Sequence, residues 1–238
     1  MVEAQNLTVK IFADGANVDQ MAQLAEAAHI SGFTTNPTLM RGSGVTDYAA
    51  FARRVLDVIP DKPISFEVFS DDQDEMERQA RTIASFGENV YVKIPVTTTT
   101  GESTAKLVAR LTAAGIKLNI TAILTLAQVR VSVEALEGTT AGIVSVFAGR
   151  IADTGRDPMP IMTAALELVS IDPSIELLWA SPREVLNVVQ ADAIGCHIIT
   201  VTPDLLKKLP GLGRSLEDLS LDTVRMFHED ARVAGYTL

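Results

Sequence analysis

Along this chain, short runs of apolar, often β-branched residues alternate with longer stretches whose apolar positions recur every three or four residues. The first pattern is that of strands, with a period of about two; the second is that of helices, with a period of about 3.6. Thr8–Ala13 is the first strand, closed by Asp14-Gly15-Ala16-Asn17, and Val18–Ile30 carries Met21, Leu24, Ala25 and Ala28 at helical spacing. Gly32–Pro37 is a second strand that Pro37 stops, followed by a helix over Tyr48–Ile59 that ends at Pro60. Ile64–Phe69 is a third strand. The acidic run Asp71–Glu75 opens the next helix, where the macrodipole favours anions, and Gly87 caps that helix after Phe86. Asn89–Val96 is the fourth strand and Ser103–Ala114 its helix, capped by Gly115.

The alternation continues without a break. Lys117–Ile123 is followed by a helix over Leu126–Leu136, and Gly142–Phe147 by one over Pro160–Val169. Ile175–Ala180 precedes a helix over Arg183–Ala191, and His197–Val201 a short one over Asp204–Leu209. After Pro210-Gly211-Leu212-Gly213 comes an amphipathic helix, Leu216–Ala234. Eight strands, each followed by a helix, predict an α/β protein: a (β/α)8 TIM barrel with an additional C-terminal helix. An open doubly wound sheet is the alternative, but no G-x-G-x-x-G loop follows the first strand. No linker or low-complexity tract interrupts the pattern. The expectation is one domain over residues 1–238, with the last helix, about 215–234, packed outside the barrel.

Composition narrows the function classes. Of 238 residues, 47% are hydrophobic and 21% charged, an ordinary globular balance with enough apolar material for a sizeable core. The net charge of −10 argues against nucleic-acid binding, which depends on neutralising phosphates. It does not exclude a small anionic ligand held by a local basic cluster. The N-terminus, Met1–Asn6, lacks a basic segment followed by an apolar one, so no leader is expected, and no apolar run reaches membrane-spanning length. The single cysteine, Cys196, excludes an internal disulfide and fits a reducing cytoplasm. His29, His197 and His228 match no metal-ligand spacing, so neither a metal site nor a His-dependent triad is expected.

The fourth strand holds the chemical anomaly. Lys93 sits in the middle of Val90-Tyr91-Val92-Lys93-Ile94-Pro95, and lysine is rarely buried unless it is paired or functional. Alternation puts it on one face with Tyr91, and in a barrel that face is the interior. Desolvation disfavours the charged form of an amine, and the neutral amine is a nucleophile towards carbonyls. The competing reading is an edge strand whose lysine reaches out to water. Other polar residues fall at the same strand ends: Asp14, Thr34, Asn36, Glu67, Asn119, Thr121, Ser145, Arg150, Ser181 and Arg183. Each has a structural explanation alone. Asp14 or Ser181 could cap a helix, Asn36 could serve a turn, Arg183 could lie on the surface, and Glu67 with Lys93 could be a buried ion pair. Together they converge on one end of one cavity, where barrel enzymes carry their sites.

Phe12-Ala13-Asp14, Gly32-Phe33-Thr34-Thr35-Asn36-Pro37, Val92-Lys93-Ile94-Pro95, Asn119-Ile120-Thr121, Ser145-Val146-Phe147-Ala148-Gly149-Arg150-Ile151 and Ala180-Ser181-Pro182-Arg183 resemble the transaldolase family, in the family's order. The chain's length is similar to that of the small transaldolases and the related fructose-6-phosphate aldolases. The resemblance implies a Schiff-base barrel enzyme with no metal or organic cofactor, acting on small sugar phosphates, cytoplasmic and homo-oligomeric. Lys93 matches the Schiff-base lysine, and Asp14 the aspartate that takes the C4 hydroxyl proton as the C3–C4 bond breaks. Glu67 and Thr121 match the pair that holds a water for carbinolamine dehydration. Asn36 and Ser145 match residues on the hydroxyls of the dihydroxyacetone unit, with Thr34 beside them. Arg150, Ser181 and Arg183 match the phosphate group's partners, and a helix N-terminus at Ser181 is expected to assist them.

Two positions bear on the reaction. The resemblance expects Glu at 67 and Phe at 147 in transaldolases, and Gln and Tyr in fructose-6-phosphate aldolases; this chain has Glu67 and Phe147. The implied activity is transfer of a dihydroxyacetone unit between sugar phosphates, with release of free dihydroxyacetone and a non-catalytic sugar-phosphate-binding barrel as alternatives. Pro182 and Ala148 depart from the family's usual residues.

Overall fold

A computed structural model describes residues 7–238, so the reading of Met1–Asn6 lies outside the described residues. Eight parallel strands close into a barrel in chain order: β1 (Lys10–Asp14), β2 (Ile30–Thr34), β3 (Ile64–Glu67), β4 (Val90–Pro95), β5 (Leu118–Ile123), β6 (Gly142–Val146), β7 (Ile175–Trp179) and β8 (Ile198–Val201). Closure is made by β1, which pairs with both β2 and β8. The helices are α1 (Val18–Ala25), α2 (Pro37–Gly42), α3 (Tyr48–Val58), α4 (Gln73–Ala84), α5 (Ala105–Ala113), α6 (Leu126–Ala135), α7 (Ala148–Ala152), α8 (Met159–Val169), α9 (Leu186–Ala193), α10 (Pro203–Leu206) and α11 (Leu216–Ala234). The expected (β/α)8 barrel is therefore present.

The strands read as nearly continuous apolar runs because both of their faces are covered. One face packs beneath the helices: Phe33, Phe66, Val92, Ile94, Val144 and Trp179 join Met21, Val55, Met76, Leu107, Leu111 and Met162 in one core. The other face fills the barrel, where Phe12, Ile143, Leu178, Ala180 and Ile198 cluster with Tyr91 and Phe147. Phe12 and Gly32 are register partners on β1 and β2. A Cβ on Gly32 would stand 2.6 Å from the Phe12 ring. Glycine is what lets that ring pack inside the barrel against Ile143, Leu178, Ala180 and Ile198.

Several boundaries differ from the sequence reading, each for a local reason. The first helix ends at Ala25, and Ile30 belongs to β2, where it is buried opposite Ile11. Pro37 begins α2 instead of only ending a strand: Asn36 accepts the Leu39 N–H, and proline suits the first helical turn because it needs no N–H partner there. The chain after β6 turns at once into α7, a short helix that the apolar pattern did not reveal. Nor does a helix begin at Ser181 or Arg183. The Asn187 side chain accepts the N–H groups of Arg183 (2.7 Å) and Glu184 (3.2 Å), and α9 starts only at Leu186. The helix N-terminus expected at Ser181 is thus corrected to a loop.

α11 lies outside the barrel. Ser215 caps it by accepting the Asp218 N–H and Gly235 ends it in a left-handed conformation, but none of its residues is buried. Leu216, Leu219, Val224, Met226, Phe227 and Val233 are exposed along it. Among the described residues, no helix is long and apolar enough to cross a membrane.

Candidate active site

The strand register brings the polar residues together. Asp14 pairs with Thr34 across β1 and β2, Glu67 with Lys93 across β3 and β4, and Pro95 with Thr121 across β4 and β5. A cavity of about 490 Å³ opens above them, a size typical of small-molecule sites. Asp14, Thr34, Asn36, Glu67, Lys93, Thr121, Ser145, Phe147, Arg150, Ser181 and Arg183 all line it.

Lys93 is buried at 6% exposure in a strand flanked by β3 and β5, so the edge-strand reading fails: a closed barrel has no edge. Its Nζ donates to the Thr35 carbonyl oxygen at 3.0 Å and lies 3.4 Å from Glu67 Oε2. The amine is held by one backbone carbonyl and loosely approached by one carboxylate.

Asp14 accepts a hydrogen bond from Thr34 Oγ1 at 2.8 Å. Burial pushes its carboxyl above the usual range; the charge of Lys93 and the Thr34 hydroxyl pull it back down, and the negative charge of Glu67 adds to the rise. A half-buried carboxylate that lines the cavity with Lys93 is placed to exchange protons with a bound molecule.

Below these groups runs a chain of amides and hydroxyls. Ser145 Oγ donates to Asn119 Oδ1 at 2.6 Å, and Asn119 Nδ2 donates to Ser65 Oγ at 3.0 Å. All three residues are buried, and the bonds fix the orientation of Ser145. Thr121 differs: its buried Oγ1 has no partner among the described residues. Leaving a buried hydroxyl unpaired costs about 1–3 kcal/mol, so this hydroxyl, on a residue that lines the cavity, has hydrogen-bonding capacity to spare. The strand is irregular just there. The β5–β6 register shifts between Ile120 and Ile123, and Ala122 takes a left-handed conformation with φ of 61°. Ser181, also at φ 61°, is the other non-glycine residue of this kind among the described residues. Both line the cavity, and strain of this sort is characteristic of functional sites.

Two arginines stand at the outer rim, one of them paired with a carboxylate. The Arg150 guanidinium lies 5.2 Å from the centroid of the Phe147 ring, while Arg183 Nε donates to Asp153 Oδ1 at 3.1 Å, with a second contact from Nη2 to Oδ2. These positions depend on Gly149. A Cβ there would fall 1.5 Å from the Ser181 carbonyl oxygen, so only glycine lets α7 abut the loop after β7. Asn36 places its side-chain oxygen on the Leu39 N–H at 3.0 Å; its amide nitrogen has no partner among the described residues. The cap reading and the ligand reading of Asn36 thus use different atoms.

The sequence reading did not single out Thr200, Thr202 and Leu178, which also line the cavity, nor the Thr35 carbonyl that holds the lysine. The available signal for Thr200 was its parity with Ile198 in Ile198-Ile199-Thr200-Val201, which puts a lone hydroxyl on the interior face of β8. Cys196 lies away from the cavity. Its Sγ contacts the carbonyls of Leu177 and Ile198, and burial pushes its thiol up to about 12, the profile of an inert core residue. His197 Nδ1 accepts the Leu177 N–H at 2.9 Å and serves the strand. Among the described residues, no three His, Cys, Asp or Glu side chains gather as metal ligands.

Comparison with known proteins identifies the family. A model of the transaldolase/fructose-6-phosphate aldolase family matches residues 11–236. A probable transaldolase of Thermoanaerobacter sp. (strain X514) is 35% identical over 228 residues, covering 95% of this chain and 99% of that protein. A probable transaldolase of Streptococcus pyogenes serotype M5 is 33% identical over 223 residues, 93% of this chain and 97% of that protein. One from Dehalococcoides mccartyi is 33% identical over 207 residues, 84% and 90% respectively. The chain belongs to the transaldolase/fructose-6-phosphate aldolase family.

Proposed function

We propose that this protein is a transaldolase, moving a dihydroxyacetone unit from a ketose phosphate, such as fructose 6-phosphate or sedoheptulose 7-phosphate, to an aldose acceptor through a Schiff base on Lys93. The observation that carries the reading is the buried Lys93 amine, held by the Thr35 carbonyl at 3.0 Å in a cavity that also holds Asp14 and Glu67. A structural ion pair needs no cavity beside it, and a lysine facing one is placed to meet a carbonyl.

In this mechanism the neutral Lys93 amine adds to the ketose C2 carbonyl. Glu67 and Thr121 handle the water that leaves as the carbinolamine becomes an imine; the unpartnered Thr121 hydroxyl supports that role. Asp14 then takes the proton from the C4 hydroxyl, the C3–C4 bond breaks, and its electron pair flows into the imine to give an enamine and a free aldose phosphate. The enamine attacks the acceptor aldehyde, Asp14 returns its proton to the new hydroxyl, and hydrolysis frees Lys93. Asn36, Ser145 and Thr34 hold the donor's hydroxyls. Arg150, beside Ser181, binds the phosphate, and Arg183 joins it by sharing its guanidinium between Asp153 and the phosphate.

Transfer rather than release is supported by Phe147, whose ring offers no hydroxyl to protonate the enamine. Incubating the enzyme with fructose 6-phosphate, with and without erythrose 4-phosphate, tests this. Turnover is expected only with the acceptor; continuous release of glyceraldehyde 3-phosphate without it would overturn the transfer reading. We read the chain as a single cytoplasmic domain that assembles with copies of itself, the exposed apolar side chains of α11 being the surface available for contact.

A further inference from the structure

Asp14 does not meet the cavity alone. Its Oδ1 accepts from Thr34 Oγ1 at 2.8 Å, and Thr34 Oγ1 is in turn hydrogen-bonded to Thr200 Oγ1. The three residues come from adjacent strands, with Phe12 and Thr200 in register across β1 and β8 and Asp14 and Thr34 across β1 and β2. Thr34 and Thr200 are both buried, and both line the cavity.

Counting protons fixes the direction of this chain. A threonine hydroxyl has one proton, and a carboxylate only accepts. While Asp14 is ionised, the Thr34 proton is committed to Asp14, so the contact between Thr34 and Thr200 must carry the Thr200 proton. We propose that Thr200 is a positioning residue for Asp14: its hydroxyl donates to Thr34, locks the Thr34 proton onto the carboxylate, and holds Asp14 ionised and aimed at the substrate hydroxyl. This rests on the transaldolase reading for its catalytic meaning but not for its geometry.

The physical basis is cooperative. A hydroxyl that accepts a hydrogen bond is a better donor, and donors to a carboxylate stabilise its charged form. Burial works the other way on Asp14, and the Thr34 hydroxyl, strengthened as a donor by Thr200, offsets part of that cost. The charged groups acting on Asp14 are Lys93 from β4, which favours the ionised form, and Glu67 from β3, which opposes it. β2 and β8, the two strands hydrogen-bonded to β1, contribute Thr34 and Thr200.

Thr200→Val keeps the shape and removes the hydroxyl; Thr200→Ser keeps the hydroxyl, and Thr200→Ala is a second hydroxyl-free variant should valine not be accepted. The ionisation of Asp14 is read in the resting protein by carbon-13 NMR of its carboxyl carbon, which needs no substrate. The midpoint is expected to rise by roughly half a pH unit in the valine or alanine variant and return to the wild-type value in the serine variant. The acidic limb of kcat/KM should move with it. In a Thr34→Val background, Thr200→Val should shift the midpoint no further, because the link is already cut. An unchanged midpoint in the folded hydroxyl-free variants would overturn the proposal. Borohydride trapping on Lys93 in the same preparations separates the two failures: an adduct without a midpoint shift rejects the role of Thr200 alone, and a shift without an adduct rejects the transaldolase reading alone.

Discussion

Glu67 and Lys93 are register partners on adjacent strands, yet their charged atoms stop 3.4 Å apart, while Lys93 Nζ donates its shorter hydrogen bond, 3.0 Å, to the Thr35 carbonyl oxygen. A pair built for stability would close to about 2.8 Å with good geometry. The gap leaves the amine reachable, and in the proposed mechanism it leaves Glu67 room to act on the departing water. Glu67→Gln keeps the shape and removes the carboxylate, so the rate of imine formation with a ketose phosphate should fall by roughly 10²-fold. The folded state should change little. Rapid-quench borohydride trapping measures it.

Asp14 carries a stability consequence opposite to the usual carboxylate. Because burial raises its folded-state pKa above the ordinary aspartate value, the folded protein holds this proton more tightly than the unfolded chain. Its contribution to stability is complete below the unfolded chain's pKa and is lost as pH rises through the folded value, so at neutral pH the desolvated charge is destabilising. Asp14→Asn should therefore raise the melting temperature at pH 7 while abolishing C3–C4 cleavage, with a smaller gain in stability at pH 4. Scanning calorimetry at the two pH values checks the sign. In the variant, trapping should yield a six-carbon adduct in place of a three-carbon one.

Phe147 caps the floor of the cavity next to Arg150. Phe147→Tyr adds a hydroxyl beside the bound intermediate, and it should increase release of free dihydroxyacetone from fructose 6-phosphate about tenfold or more, at the expense of transfer. Product analysis without an acceptor reads this directly.

Gly149→Ala tests the packing that positions the rim. With a Cβ only 1.5 Å from the Ser181 carbonyl oxygen, α7 and the loop after β7 must separate, at a cost of about 1–3 kcal/mol or more. KM for a phosphorylated ketose should rise by at least tenfold as Arg150 and Arg183 lose register. Dihydroxyacetone, which has no phosphate, should still be trapped on Lys93.

The barrel was legible in the sequence because each strand is a compact apolar run and most helices show clear three-to-four spacing. What escaped was short or set by side-chain bonds. α7 is five residues long, too short to establish a period. The loop at Ser181 depends on Asn187 accepting two backbone N–H groups from Arg183 and Glu184, which outcompetes the helix start suggested by Ser181-Pro182-Arg183. Lys93 stood out because a charge inside an apolar strand is conspicuous. Thr200 did not, since threonine is an ordinary strand residue and only the closed sheet brings it against Thr34.

The most direct test of the account is borohydride trapping with fructose 6-phosphate, followed by peptide mass spectrometry of the wild type and of Lys93→Ala. The account predicts a reduced three-carbon adduct on Lys93 in the wild type and none in the variant, because imine formation and C3–C4 cleavage both precede the acceptor's arrival. An adduct on another lysine, or none from this or any related ketose phosphate, would contradict it.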